Sequence, residues 1–486
     1  MHNQEFYRLR EKNLNIIKSF LAQNDRIHAM KIIAMQAVLS YQYNQFFFDE
    51  ALEGLWKKLL KQLPSIEGEH PILENRVLWY DAFGLGNRGL AYIYLQALDA
   101  LGYEILYVSY DGVQSHLTRL KNIINQPRHK TVFLPKTDFW AQYRILSKTI
   151  VEWGGIANFL YTTPSDVVGI AAFEKLPHSF KRYLVNLTDH AYWLGTNSFD
   201  VCIDFRSFGA SISYFYRKIP KDKIIILPYY PTIDQKAKFK GFPFEKVSGQ
   251  KVLFSGGSIY KTLDKDGTFY QIVSQLLEIH EKLIFWYAGD RRSNELKALE
   301  RKYQGRVVFT AERDDLYQVL QHVDVYLNTY PVSGGLMLQY AALAGRIPFT
   351  LLHDDEPFGM LLDNDGVYYR SRDEMISAIN RYLIDDDYRI MLEKNMSHAV
   401  ITPENFISNL QKLLIENKTE YPLEINQVDV KSFQQTYLER WEDKFSYRMI
   451  VAQKDLVIYR RYLREIVLWL VLMLKSILLG NKDYRR

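Results

Sequence analysis

Hydrophobic positions change their period twice along the chain. Over residues 1–70 they recur at helical spacing: Leu52, Leu55, Trp56, Leu59 and Leu60 form one stripe, and residues 14–21 and 27–39 share the period. From Arg76 onward, short apolar runs alternate with amphipathic stretches. Residues 77–80, 104–109, 131–134, 159–162, 183–187, 201–205 and 223–227 read as strands, and 90–101 as a helix closed by Gly102. Prolines and lysines between Pro228 and Pro243 interrupt the pattern as a linker. A second series follows at 251–255, 283–288, 307–310, 323–328, 347–352 and 366–369. Helical spacing returns from about residue 403. Strands alternating with helices predict α/β architecture, with two doubly wound parallel sheets each covered on both faces. The expected divisions are a helical region 1–70, α/β domains 71–240 and 241–402, and C-terminal helices 403–486.

Composition narrows the class. Of 486 residues, 48% are hydrophobic and 24% charged, which excludes a mainly disordered chain. A single cysteine, Cys202, excludes an intrachain disulfide framework, and its apolar run (199–205) predicts a buried thiol. The first residues are polar, and no apolar run reaches the ~18 residues of a membrane span. The expected location is therefore cytoplasmic. The net charge is +5, and residues 455–486 hold seven basic and three acidic residues, or +4 of it. The remaining 454 residues carry only +1, which argues against nucleic-acid binding.

That basic tail encloses an apolar stretch, 466–474, flanked by Arg460, Arg461 and Arg464 before it and Lys482, Arg485 and Arg486 after it. It is too short to span a bilayer. It suits peripheral attachment to the inner face of the plasma membrane, or packing against the body, and both readings stand. Acidic clusters at 354–356 and 385–387 adjoin helices and read as caps or solvated turns, and no Cys/His spacing suits zinc, so neither metal nor cofactor is expected.

Three glycine loops could carry chemistry. Gly84-x-Gly86-x-x-Gly89, with Asn87 and Arg88 inside it, follows a strand and opens a helix, and Asp111 ends the next strand. This is the dinucleotide-binding arrangement, although a tight turn needs glycine for backbone reasons alone. Gly256, Gly257, Ser258 and Lys261 follow the first strand of the second series. Farther on, Ser333, Gly334, Gly335 and Leu336 join a strand to a small-residue helix, where outward-pointing amides suit a phosphate. Asp290 ends a strand, and Glu312 and Arg313 follow another, where they could be the N-cap and first-turn residues of the next helix. In the first series His190 and Asp189 follow the strand 183–187, where ligands bind in open sheets; a hydrogen-bonded core histidine is the other reading. Asp204 and Arg206 are weaker candidates nearby.

The run Asn328-Thr-Tyr-Pro-x-x-Gly-Gly, with Lys261 before it, resembles the donor-diphosphate loop of nucleotide-sugar glycosyltransferases of the GT-B fold. It is similar to the Asp-Thr-x-Pro-x-x-Gly-Gly pattern of inverting, O-GlcNAc-transferase-like enzymes, and Asp189-His190 near Trp193-Leu-Gly195 resembles bacterial members. The resemblance implies two Rossmann-like domains facing a cleft, the first for the acceptor and the second for the nucleotide sugar. Gly256, Gly257, Ser258, Lys261, Ser333, Gly334, Gly335 and Leu336 would surround the diphosphate. Asp290, Glu312 and Arg313 would line the base and ribose pocket. Gly84, Gly86, Asn87 and Arg88 would form a cleft loop, with His190 as acceptor-side base beside Asp189. The implied activity is metal-independent hexosyl transfer from a UDP-linked donor to a glycan, lipid-linked glycan or protein, as in polysaccharide biosynthesis or protein glycosylation. Terminal helices of this plan often return to the first domain. Gln339-Tyr340 stands where many retaining members carry a glutamate, and Leu336-Met337 where the inverting pattern has a threonine pair. A non-catalytic GT-B-like subunit of a transferase complex therefore stays as an alternative, as does an NAD-dependent enzyme, and homo- or hetero-oligomers stay open.

Overall fold

The computed structural model describes residues 2–64, 70–84, 90–113, 117–234, 236–363, 365–394, 396–440 and 444–478. The chain divides into two compact units, Met1–Leu227 with Ile407–Arg486, and Pro228–Phe406.

The first unit opens with helices α1 (His2–Ala22), α2 (Arg26–Tyr43) and α3 (Glu50–Gln62). Asp25 and Asp49 cap α2 and α3 by accepting the amides of His28 and Leu52. The α/β series follows as β1 (Leu73–Asp81), α4 (Leu90–Ala100), β2 (Glu104–Tyr110), α5 (Lys121–Ile124), β3 (Lys130–Leu134), α6 (Phe139–Trp153), β4 (Gly155–Tyr161), α7 (Val167–Glu174), β5 (Lys181–Val185), β6 (Val201–Asp204), α8 (Ser207–Phe215) and β7 (Ile224–Ile226). The strands form a parallel seven-stranded sheet in the order β3-β2-β1-β4-β5-β6-β7. Strands covered on both faces read as continuous apolar runs, which is why their centres are visible in the sequence. Their polar ends are not: β1 begins at Leu73, where Arg76 pairs with Glu104 at 2.9 Å instead of burying apolar surface.

The second unit contains β8 (Lys251–Gly257), α9 (Thr268–Ile279), β9 (Leu283–Gly289), α10 (Asn294–Lys302), β10 (Val307–Thr310), α11 (Leu316–His322), β11 (Val325–Leu327), α12 (Gly335–Leu343), β12 (Pro348–Leu351), β13 (Tyr368–Tyr369), α13 (Arg372–Ile384) and α14 (Asp386–Glu393). Its parallel sheet runs β10-β9-β8-β11-β12-β13. Chain order therefore reverses between β8 and β11, the switch point at which open α/β sheets bind ligands. The segment after Pro228, read from sequence as the close of the first domain, packs on α12 instead. Gln339 Nε2 donates to the Tyr229 carbonyl (3.1 Å) and the Tyr340 hydroxyl to the Thr232 carbonyl (2.9 Å).

After α15 (Pro403–Glu416), the helices α16 (Lys431–Arg440), α17 (Lys444–Ala452), α18 (Leu456–Arg461) and α19 (Leu463–Leu478) belong to the first unit. Both ends of the chain share its core: Ile17, Phe20, Ile32 and Trp56 join Leu78, Val108 and Leu160 of the sheet, together with Tyr447, Ile450, Ile458 and Tyr462. Buried polar contacts lock the two ends together. Glu465 accepts Arg8 (2.9 Å) and Lys12 (2.7 Å), and Asp455 accepts Lys31 (2.6 Å). The N-terminal helices are thus a layer of the first unit.

Candidate functional site

The second unit gathers its candidates at the switch point. Strands β8 and β11 are neighbours, so the loops leaving their carboxyl ends start side by side. Gly257 ends β8 at φ +133°, a conformation closed to most side chains. A short 3₁₀ turn, Ile259–Thr262, follows it and is anchored by Asp290, whose Oδ1 accepts the Ile259 amide at 2.7 Å. Two bonds then tie the loops together. The Val332 amide donates to the Lys261 carbonyl (3.3 Å), and Lys261 Nζ donates to the Ser333 carbonyl (3.4 Å). Asn328 shapes the second loop from within. Its Oδ1 accepts the amides of Thr329 and Gly334 (3.0 Å each), and its Nδ2 donates to Ser333 Oγ (2.8 Å) and Thr350 Oγ1 (3.1 Å). Helix α12 starts at Gly335, where a Cβ would lie 2.8 Å from Met360 Cε. Its first-turn amides, those of Gly335, Leu336 and Met337, precede any intrahelical acceptor and point back along the axis. An ammonium and a helix N-terminus therefore stand together, an arrangement suited to a diphosphate.

The proposed base-pocket residues divide. Glu312 is exposed. Arg313 is engaged in packing: it donates to Asp315 (Nε–Oδ1 2.7 Å) and to the Gly241 carbonyl (3.1 Å), and lies 5.0 Å from the ring centre of Trp286. It pins the segment at 239–241 to the start of α11, while Asp290 acts on the loop backbone.

The first unit builds a different site around residues 188–195. Asp189 is fully buried, and Arg206 grips it with two bonds, Nε–Oδ2 at 2.6 Å and Nη2–Oδ1 at 3.0 Å. His190 Nδ1 lies 3.3 Å from Asp189 Oδ1. Burial pushes the Asp189 carboxyl up, but the Arg206 charge and the bonds from His190 and Arg206 outweigh it and hold it at about 2. An ionised Asp189 favours the tautomer with the proton on Nδ1, and the His190 side chain is about one-third exposed.

Remote residues fix the loop that carries this pair. Arg217, buried, donates Nη2 to the carbonyls of Thr188 (3.0 Å), Asp189 (2.9 Å) and Ala191 (2.5 Å). Asn44, in the left-handed conformation at the end of α2, donates to the His190 carbonyl (3.0 Å) and accepts the Tyr192 amide (3.1 Å). Glu53 of α3 accepts the Gly195 amide at 2.8 Å. Burial lifts the Glu53 carboxyl to about 8 against that bond, with Glu174 adding to the rise. Asp204, buried behind Asp189 and bonded to Asn186, is raised by burial to about 7. Cys202 is a fully buried thiol on β6, 3.7 Å from Asp204.

Sequence reasoning passed over Asn44, Glu53 and Arg217. An asparagine ending a helix is a readable cap, yet nothing local announces a partner far along the chain. Gly84 donates its amide to Asp81 Oδ1 at 2.9 Å, whereas Gly86, Asn87 and Arg88 lie outside the described residues. Among the described residues, no group of three or more metal-ligating side chains is found.

No protein-family model matches the chain, and no curated protein matches its sequence. Solved structures do match in fold. A mutant of the Thermobaculum terrenum O-GlcNAc transferase aligns at 12% identity and TM-score 0.51, over 88% of this chain and 84% of that one. A glycosyltransferase from Rickettsia africae aligns at 12% identity and TM-score 0.53, over 71% and 98%. The lipopolysaccharide outer core galactosyltransferase WaaB, in its apo form, aligns at 13% and 0.51, over 70% and 99%. At these identities the likeness is one of fold, and that fold is GT-B.

Proposed function

We propose that the chain is a glycosyltransferase that uses a nucleoside-diphosphate sugar and places its diphosphate between Lys261 and the N-terminus of α12. The observation that carries this reading is the bonding of the β8 and β11 loops to each other at the switch point, which brings Lys261 to Ser333. When the bond between the anomeric carbon and the diphosphate oxygen breaks, negative charge grows on the leaving group. A fixed ammonium and helix-terminal amides stabilise that charge, and such preorganised donors are worth about 2.7–4 kcal/mol each. Because these groups meet the charge, we read the reaction as metal-independent.

The acceptor is a hydroxyl of a glycan, lipid-linked glycan or protein. His190 Nε2 takes its proton as the acceptor oxygen forms the new bond to the anomeric carbon, and the nucleoside diphosphate leaves. Asp189 keeps the imidazole oriented and stabilises the imidazolium, with Arg206 holding Asp189 ionised. The favoured donor is a UDP-hexose.

The test is a panel of UDP-, GDP- and TDP-sugars and NAD, read by thermal shift and by donor hydrolysis or transfer. Stabilisation by one nucleoside diphosphate but not NAD, with turnover, supports the reading. Stabilisation by NAD alone overturns it. Nucleotide binding with no turnover toward any acceptor would instead fit a non-catalytic subunit.

A further inference from the structure

The last helix divides its apolar residues between two faces. Ile466, Leu468, Trp469 and Leu472 of α19 pack against the core of the first unit. Leu463, Val467, Leu470, Val471 and Leu474 do not. They are between 42% and 64% exposed, and their spacing of i, i+4, i+7, i+8 and i+11 sets them in one continuous stripe along the helix. The preceding helix, α18, exposes Leu456 and Val457 as well. An uncovered apolar stripe of this kind marks an interaction surface.

The charges say what covers it. From Asp455 to Lys475 the chain has two carboxylates, and both turn inward: Glu465 is buried against Arg8 and Lys12, and Asp455 is mostly buried against Lys31. Every exposed charged residue in that stretch is a cation, namely Arg460, Arg461, Arg464 and Lys475. Helical phase puts Arg464 and Lys475 three turns apart on one rim of the α19 stripe. An apolar strip rimmed by cations, with the anions sequestered, complements the interface of an anionic bilayer. There acyl chains receive the apolar side chains, and lipid phosphates receive the guanidinium and ammonium groups. No described helix is long and apolar enough to cross a membrane, so the contact is one of lying on the surface.

We propose that α18 and the exposed stripe of α19 dock the protein onto anionic lipid. This inference is independent of the transferase reading, since it uses none of that site's residues. The test is co-sedimentation of the full chain with vesicles of phosphatidylcholine alone and of phosphatidylcholine with 30 mol% phosphatidylglycerol. The expected result is binding to the mixed vesicles at least tenfold stronger than to the neutral ones, weakening as salt rises. Arg460→Gln with Arg464→Gln should cost roughly thirtyfold, at about fivefold per cation. Val467→Glu with Leu470→Glu should abolish sedimentation while the melting temperature stays at the wild-type value, because both side chains are exposed. Equal binding to both vesicle types, or unchanged binding by either variant, overturns the proposal. So does concentration-dependent dimerisation in sedimentation velocity that the Val467/Leu470 variant removes without any vesicle binding, since the stripe would then cover a second copy.

Discussion

The two candidate sites are built from different materials. In the second unit the phosphate-type site is mostly backbone: a 3₁₀ turn, a helix start and two glycines, with Lys261 and Asn328 as its main side chains. All of it arises from two adjacent strands and the loops that follow them. The site of the first unit is made of side chains delivered from far apart, with Asn44 and Glu53 from the N-terminal helices, Asp189 and His190 from a loop, and Arg206 and Arg217 from either end of α8. A backbone site is robust to most side-chain changes but has one irreplaceable charge. A side-chain site spreads its dependence over several buried partners, each costly to remove.

That contrast can be broken by substitution, and the largest effect should fall on transfer. His190→Ala removes the proposed base and should lower turnover by about 10²–10⁴-fold with the fold intact, as measured by transfer rate beside a thermal melt. Arg206→Met strips the buried Asp189 carboxylate of its two guanidinium bonds and leaves it only the longer contact with His190, so the first unit should lose about 3–5 kcal/mol in denaturant unfolding. Lys261→Ala should lower turnover at least ~30-fold, a loss of ~2 kcal/mol or more in transition-state stabilisation, with little change in melting temperature. Asn44→Gly keeps the left-handed backbone and removes only the two bonds to 190 and 192. It should cost about 1–2 kcal/mol and lower turnover more than donor affinity.

The remaining prediction is a pH slope, small within any one pH unit. Glu53 has its folded carboxyl raised to about 8 by burial, above its ordinary value of 4.5. The folded state therefore holds a proton that the unfolded chain has lost between these values, and stability falls as pH rises through that window. Glu53→Gln keeps an acceptor for the Gly195 amide and removes the titration. Its stability relative to wild type should climb with pH from about 4.5 to 8, by up to about 1.4 kcal/mol per pH unit, and level off above. A flat difference across that range would show that Glu53 is not held protonated. Asp189 has the opposite sign: it stabilises the fold at neutral pH, and that contribution should fade as pH drops from about 4 toward 2.

The same contrast explains what was legible in the sequence. Strand centres, the reversal of helix and strand periods, and the glycine loops are all local patterns, and the two sheets follow from them. The pairing of the Lys261 and Ser333 loops follows from β8 and β11 being neighbours, which an alternating strand order already suggests. Asp189-His190 was visible as a pair of titratable residues after a strand. Its supports were not. Asn44 looks like any helix-ending asparagine, Arg217 like a surface cation, and Glu53 like one more charge on an amphipathic helix. Arg313 stood open in the sequence between a pocket residue and a helix cap, and its contacts with Asp315, Gly241 and Trp286 depend on the fold. The tail showed an all-apolar run, and only the fold separates its packed face from its exposed one.

The central claim is that the donor diphosphate rests on Lys261 and the start of α12, separately from the His190 site. Calorimetric titration of UDP into the wild-type protein, Lys261→Ala and His190→Ala tests it directly. The account predicts that Lys261→Ala weakens binding by about tenfold or more, the worth of a charge-assisted bond, while His190→Ala binds as wild type does. Wild-type affinity in Lys261→Ala would contradict it.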